Sequence, residues 1–160
     1  MGVEIERKFL VTDAAWRQSC SGGVLIRQGY LALGPPTAVR VRIAGERATL
    51  NVKTATMDIA RDEFEYDIPL SDADAMLDAL HARHIIEKTR YRVPHDELTW
   101  EVDEFHGENK GLTIAEIELD RVDQAFSAPE WVGDEVSHDP RYLNTHLSRH
   151  PYIQWARPAD

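Results

Sequence analysis

From its third residue the chain alternates apolar and charged side chains in short runs, and the runs recur over most of its length. Successive side chains of a strand point to opposite faces, so this period predicts half-buried strands. In Val3–Val11, Val3, Ile5, Arg7 and Phe9 share one face, and Glu4, Glu6 and Lys8 the other. Val24–Leu33 reads as a second strand, carrying Arg27 and Tyr30. Ala38–Ile43 sets Val39, Val41 and Ile43 opposite Arg40 and Arg42. Ala44-Gly45-Glu46-Arg47 reads as a hairpin turn into Ala48–Thr54, where Leu50 and Val52 oppose Asn51 and Lys53. After a loop around Thr56–Ala60, Arg61–Ile68 places Glu63, Glu65 and Asp67 opposite Phe64, Tyr66 and Ile68. Ile85–Val93 puts Lys88, Arg90 and Arg92 on one face, and Pro94-His95-Asp96 turns the chain. Leu98–Phe105 carries Glu101 and Asp103 opposite Trp100 and Val102. A loop at Gly107–Gly111 leads to Leu112–Leu119, with Glu116 and Glu118 opposite Ile117 and Leu119.

Helical patterning is sparse. Ala73, Met76, Leu77 and Leu80 form a stripe that predicts a helix over Ser71–His84, capped by Ser71 with Asp74 three residues on. Thr12 is placed to cap a short helix over Asp13–Gln18, and Asp123–Ala128 reads as another. Asp139-Pro140 opens a final helix running to about Arg149. The reading is one domain over residues 1–155, with 156–160 a disordered tail.

Within most strands the charges share one sign. Glu4/Glu6 (beside Lys8), Glu63/Glu65, Glu101/Asp103 and Glu116/Glu118 are acidic pairs; Arg40/Arg42 and Lys88/Arg90 are basic, and Asn51/Lys53 is a weaker member of the set. A flat sheet with one solvated face would alternate too, but would not need this sorting. If the apolar faces lie outward beneath helices, the charged faces line the inside of a closed sheet. The expected class is therefore α+β, mainly antiparallel β, as a barrel with a charged interior. Such an interior needs mutual pairing, metal or ligand, since an unpaired buried ion costs several kcal/mol.

Composition narrows the chemistry. The 160 residues suit one domain with its own core. A net charge of −10 and a pI near 5.1 argue against nucleic acid and against an anionic membrane. Cys20 stands alone, so neither an intrachain disulfide nor a cysteine zinc site is available. With no signal-peptide core and no apolar run of membrane-spanning length, a cytoplasmic setting is expected. On the first strand Glu4 and Glu6 lie ~7 Å apart on one face, suited to a hard cation, with Lys8 ~7 Å further to meet an anion. His146 and His150 have an i,i+4 spacing but lack the glutamate of a zinc-protease motif, and Gly22-Gly23 and Gly34 lack the lysine and hydroxyl of a P-loop.

The ordered set of Glu4-x-Glu6-x-Lys8, Arg40/Arg42, Lys53, Glu63/Glu65, the EKTRY run at Glu87–Tyr91 and Glu116-x-Glu118 resembles the CYTH, or triphosphate tunnel metalloenzyme, superfamily. EIERKFLV, RQGYL and EKTRY are especially similar to its small bacterial tripolyphosphatases, and a WVGDEV…RYLN stretch continues the likeness. The resemblance implies an eight-stranded tunnel, bound Mg2+ or Mn2+, and hydrolysis of a triphosphate, foremost inorganic tripolyphosphate to pyrophosphate and phosphate. Members also act on nucleoside or thiamine triphosphates or cyclise ATP, and a non-catalytic polyphosphate-binding module is a further alternative. By the same resemblance Lys88 and Tyr30 are the catalytic pair. Lys8, Arg40, Arg42, Lys53, Lys88 and Arg90 would grip phosphate. Glu4, Glu6, Glu63, Glu65, Glu101, Asp103, Glu116 and Glu118 would supply metal ligands and their supports. The expected partner is a small-molecule triphosphate, with no nucleic acid and no membrane; the pattern leaves a homo-oligomer open.

Overall fold

The computed structural model describes residues 2–34, 36–54, 58–80 and 84–155. The strands are β1 (Gly2–Val11), β2 (Val24–Gly34), β3 (Thr37–Ala44), β4 (Arg47–Thr54), β5 (Ala60–Ile68), β6 (Ile85–His95), β7 (Leu98–Phe105), β8 (Thr113–Glu118) and β9 (Val132–Glu135). They run in the order β5-β4-β3-β2-β6-β7-β8-β1-β9, and β5 also pairs with β1. That last pairing closes β1–β8 into an antiparallel ring of eight. β1 makes closure possible by changing partners along its length. One edge pairs Gly2–Ile5 with β5, and the other pairs Glu6–Leu10 with β8. β9 is an addition to the expected eight. It lies beyond β5 on the same edge of β1, opposite Phe9 and Val11.

The register places the alternation as the sequence implies. Glu4, Glu6 and Lys8 face the inside, while Ile5 and Phe9 join an outer core with Trp16, Trp100, Val102, Ile117 and Trp131. On the opposite side α1 (Leu70–Asp78) lays Ala73 and Leu77 over Val41 and Ala48. It sits close because β2 offers Gly29, where an added Cβ would stand 2.6 Å from Leu80 Cδ1. A third cluster has a different origin. Ile86, Phe105 and Ile114 share the parity of the charged inner residues, so the inner wall turns apolar there, and Leu147 of α2 (Asn144–Leu147) packs against them with Leu112.

The helices depart most from expectation. α1 starts at Leu70, because Pro69 occupies the cap with φ −58°; Ser71 is inside the first turn and makes no cap bond. It ends at Asp78, with Ala79 as its C-cap, short of the expected His84; residues 81–83 lie outside the described residues, as does the expected tail at 156–160. The first helix shortens to a 3-10 turn at Ala15–Gln18, held by Asp13 accepting from the Ala15 amide rather than by Thr12. The segment Asp123–Ala128 is not helical: Phe126 is drawn into the outer core against Phe9 and Trp100, and Pro129 follows. The C-terminal helix breaks in two at Leu143, whose extended backbone (φ −69°, ψ 137°) separates a 3-10 turn at Pro140–Tyr142 from α2. Asp139 does cap the first piece. β6 continues through Pro94 and His95, and the turn falls at Asp96, with φ 52°. Among the described residues, no helix is long and apolar enough to cross a membrane.

Candidate active site

The ring encloses a cavity of about 690 Å3. Both Arg47 and Lys53 line it, so it follows the inner face of β4 for roughly 20 Å. Among the described residues eight cations reach its wall: Lys8, Arg40, Arg42, Arg47, Lys53, Arg61, Arg90 and Arg149. Seven carboxylates face them: Glu4, Glu6, Glu63, Glu65, Glu101, Glu116 and Glu118. Tyr30 is on the wall too.

Pairing satisfies most of these charges. Lys53 donates to Glu4 at 2.9 Å and lies 3.4 Å from Glu63. Arg61 is 3.4 Å from Glu4 and 3.6 Å from Glu6. Lys8 stands 3.4 Å from Glu116 and 3.9 Å from Glu6. Arg90 spans Glu101 at 3.1 Å and Glu116 at 3.0 Å. Arg40 is 3.8 Å from Glu63, and Asn51 donates to both Glu63 and Glu65. Arg42 differs. Among the described residues its side chain bonds only to the carboxamide oxygen of buried Gln28, at 2.9 Å, and no carboxylate stands within 4.0 Å, although Asp103 and Glu116 act on it from further off. Burial first, then Arg40 and Arg90, pull its pKa down to about 10.

Two expected site residues do not reach the cavity. Lys88 and Asp103 are fully buried behind the wall, joined at 2.6 Å, and Arg90 grips Asp103 from the other side at 2.7 Å. Both Asp103 oxygens are thus engaged, which sets it apart from the other candidate ligands. Despite burial, Arg90 and Lys88 keep its pKa below the ordinary value. Burial lowers Lys88 to about 8, with Arg90 and Arg42 adding to the effect and Asp103 opposing it.

The remaining carboxylates form a crowded set. Against burial, Lys8, Arg90 and Lys88 hold Glu116 well below the usual range, and Lys53 and Arg61 hold Glu4 down. Glu6 goes the other way: burial, then Glu116 and Glu4, raise it to about 7. Glu118 is raised by burial and by Glu4, Glu101 and Glu63. A carboxylate that retains a proton near neutrality among other carboxylates is placed to exchange it for a cation. The donors are all oxygens, which fits a hard ion such as Mg2+ or Mn2+. Among the described residues, no three such side chains converge as a formed cage; their oxygens turn to the lysines and arginines instead.

Three wall cations, Arg47, Arg61 and Arg149, were absent from the expected set, as was Asn144. Arg61 has the parity of Glu63 and Glu65, a signal the alternation carried. Arg47 belonged to a turn in the sequence reading and opens β4 in the fold. Asn144 and Arg149 reach the wall from the C-terminal segment, where no strand period points to them.

A closed antiparallel ring with both signs of charge on its inner wall, and its apolar faces outside, defines a protein built around a charged tunnel. The chain belongs to the CYTH family, whose domain matches residues 2–148. It is 47% identical over 152 residues to an inorganic triphosphatase of Acetivibrio thermocellus, covering 95% of this chain and 97% of the relative. To an inorganic triphosphatase of Nitrosomonas europaea it is 35% identical over 150 residues, covering 91% and 96%. The crystal structure of the inorganic triphosphatase NE1496 superposes with a TM-score of 0.66 at 32% identity, over 92% of this chain and 95% of that one.

Proposed function

We propose that this protein hydrolyses inorganic triphosphate to pyrophosphate and phosphate, with Mg2+ or Mn2+ as cofactor. The observation that carries the reading is the cavity wall, where eight cations face seven carboxylates inside a closed ring. The names of the relatives, inorganic triphosphatases that cover nearly the whole chain, support it. Phosphoryl transfer asks a protein mainly for positioning and for charge placed against the phosphate oxygens. Arg42, with no carboxylate in ion-pair contact among the described residues, offers the free end of its fork to the substrate. Arg40, Lys8, Lys53, Arg61 and Arg90 exchange carboxylates for phosphate oxygens as the substrate enters.

Glu4, Glu6, Glu116 and Glu118, with Glu63, Glu65 and Glu101 nearby, would hold the divalent ion. When bound, it would neutralise charge on the triphosphate and act as a Lewis acid. Tyr30 orients the attacking water from the wall. Lys88, with its lowered pKa, accepts that water's proton in its neutral form once water reaches it behind Arg42 and Arg90.

The test is phosphate release from inorganic triphosphate, ATP and thiamine triphosphate, with cyclic AMP measured in parallel. Turnover of inorganic triphosphate with Mg2+ or Mn2+, and its loss with excess chelator, is expected. Tight binding without turnover of any of the panel would make the protein a binding module; undiminished turnover in chelator would remove the metal.

A further inference from the structure

Six of the eight wall cations have a carboxylate within 4.0 Å: Lys8, Arg40, Arg47, Lys53, Arg61 and Arg90. Arg42 has Gln28. Arg149 alone has no side-chain partner among the described residues, yet it lines the same cavity. It lies just past α2, far in sequence from every charged strand.

The backbone beneath Arg149 is fixed. Leu147 is buried against Ile86, Phe105 and Ile114, on the apolar part of the inner wall. The Arg149 amide donates to His146 O at 3.0 Å, and Ser148 Oγ donates to Thr145 O at 2.8 Å. An exposed arginine on an anchored backbone can aim its fork at a ligand without ordering a loop first. Asn144, on the same segment, also lines the cavity, and its buried Oδ1 has no hydrogen-bond partner. Its carboxamide can turn either oxygen or NH2 toward what enters.

We infer that the C-terminal segment completes the substrate site, with Arg149 gripping an outer phosphate group of the triphosphate and Asn144 supporting it. The inference rests on the triphosphate reading and adds to it a substrate-binding residue outside the charged strands. Because Arg149 has no ion pair among the described residues to give up, its contact adds to affinity directly, whereas Lys53 must first release Glu4.

The experiment is calorimetric binding of imidotriphosphate, a non-hydrolysable triphosphate, with Mg2+ present, to wild type, Arg149→Ala, Arg149→Lys and Asn144→Ala. Arg149→Ala is expected to bind about ten- to a hundred-fold more weakly. Arg149→Lys restores part of that, and Asn144→Ala loses less. In turnover, KM rises more than kcat falls. The melting midpoint of Arg149→Ala stays at the wild-type value, since no side-chain bond is lost; this separates a ligand contact from a structural one. Equal binding by wild type and Arg149→Ala overturns this inference and leaves the proposed hydrolysis standing. A wild type that binds but does not turn over substrate overturns the hydrolysis, and the binding series still judges Arg149. A wild type that binds no triphosphate overturns both.

Discussion

At the scale of single residues, two buried groups titrate where it matters. Glu6 has a folded pKa of about 7 against 4.5 for the free side chain, so the folded state holds its proton more tightly. Its contribution to stability is complete below pH 4.5 and is lost as pH rises through 7. Glu6→Gln removes that dependence. The metal-free variant should melt above wild type at pH 8, by the order of 1–3 kcal/mol, and the difference should close at pH 4. Added Mg2+ should raise the wild-type midpoint at pH 8 more than the variant's. A pH-independent difference would mean that Glu6 is not the titrating group. Lys88 is judged by rate. If its neutral form accepts the proton, turnover climbs with pH to a plateau above about 8, and Lys88→Ala loses that limb together with ~100- to 10,000-fold of kcat. A limb that survives in the variant would leave Lys88 as the clamp on Asp103 alone. Most of the wall was legible because a strand converts parity into direction: Glu4, Glu6, Lys8, Arg40, Arg42, Lys53, Glu63, Glu65, Arg90, Glu101, Glu116 and Glu118 all reach the cavity. Parity says nothing of depth, so Lys88 and Asp103, correct in face, turned out to be sealed behind the wall.

At the scale of elements, strands were easier to read than helices for a related reason. Each strand carries its own alternating signal, whereas the short helices here are fixed by what they pack on. Leu143 breaks the last helix through its backbone, and Phe126 pulls its segment into the outer core. The consequence for α2 is testable. Leu147 is 1% exposed and plugs the apolar part of the inner wall, so Leu147→Ala should cost ~2–5 kcal/mol by urea unfolding. It should also weaken substrate binding, because Asn144 and Arg149 are on the same anchored segment. A destabilised variant with unchanged KM would separate the plug from the site.

At the scale of the molecule, the eight wall cations and seven carboxylates among the described residues sum to a formal +1, more when Glu6 holds its proton, so the rest of the chain carries a formal −11 toward the net −10. A polyanion therefore approaches an exterior of its own sign and is attracted only near the wall. Screening should help it arrive: at fixed Mg2+, the association rate for triphosphate should rise between about 0.01 and 0.1 M salt, where the Debye length falls from ~30 to ~10 Å. A falling rate would show that the interior field dominates at a distance. Ring closure itself was foreseeable from the sorted charges, but β9 was not, because four residues are too few to show a period. Its position has a consequence for the life of the folded chain. Once β5 leaves β1 after Ile5, the backbone from Phe9 to Val11 would present free amides and carbonyls to any passing strand. β9 occupies that row, and Arg7 ties it down through Glu135 at 2.5 Å. The four residues act as a guard against self-templated aggregation, protecting the strand that carries Glu4, Glu6 and Lys8.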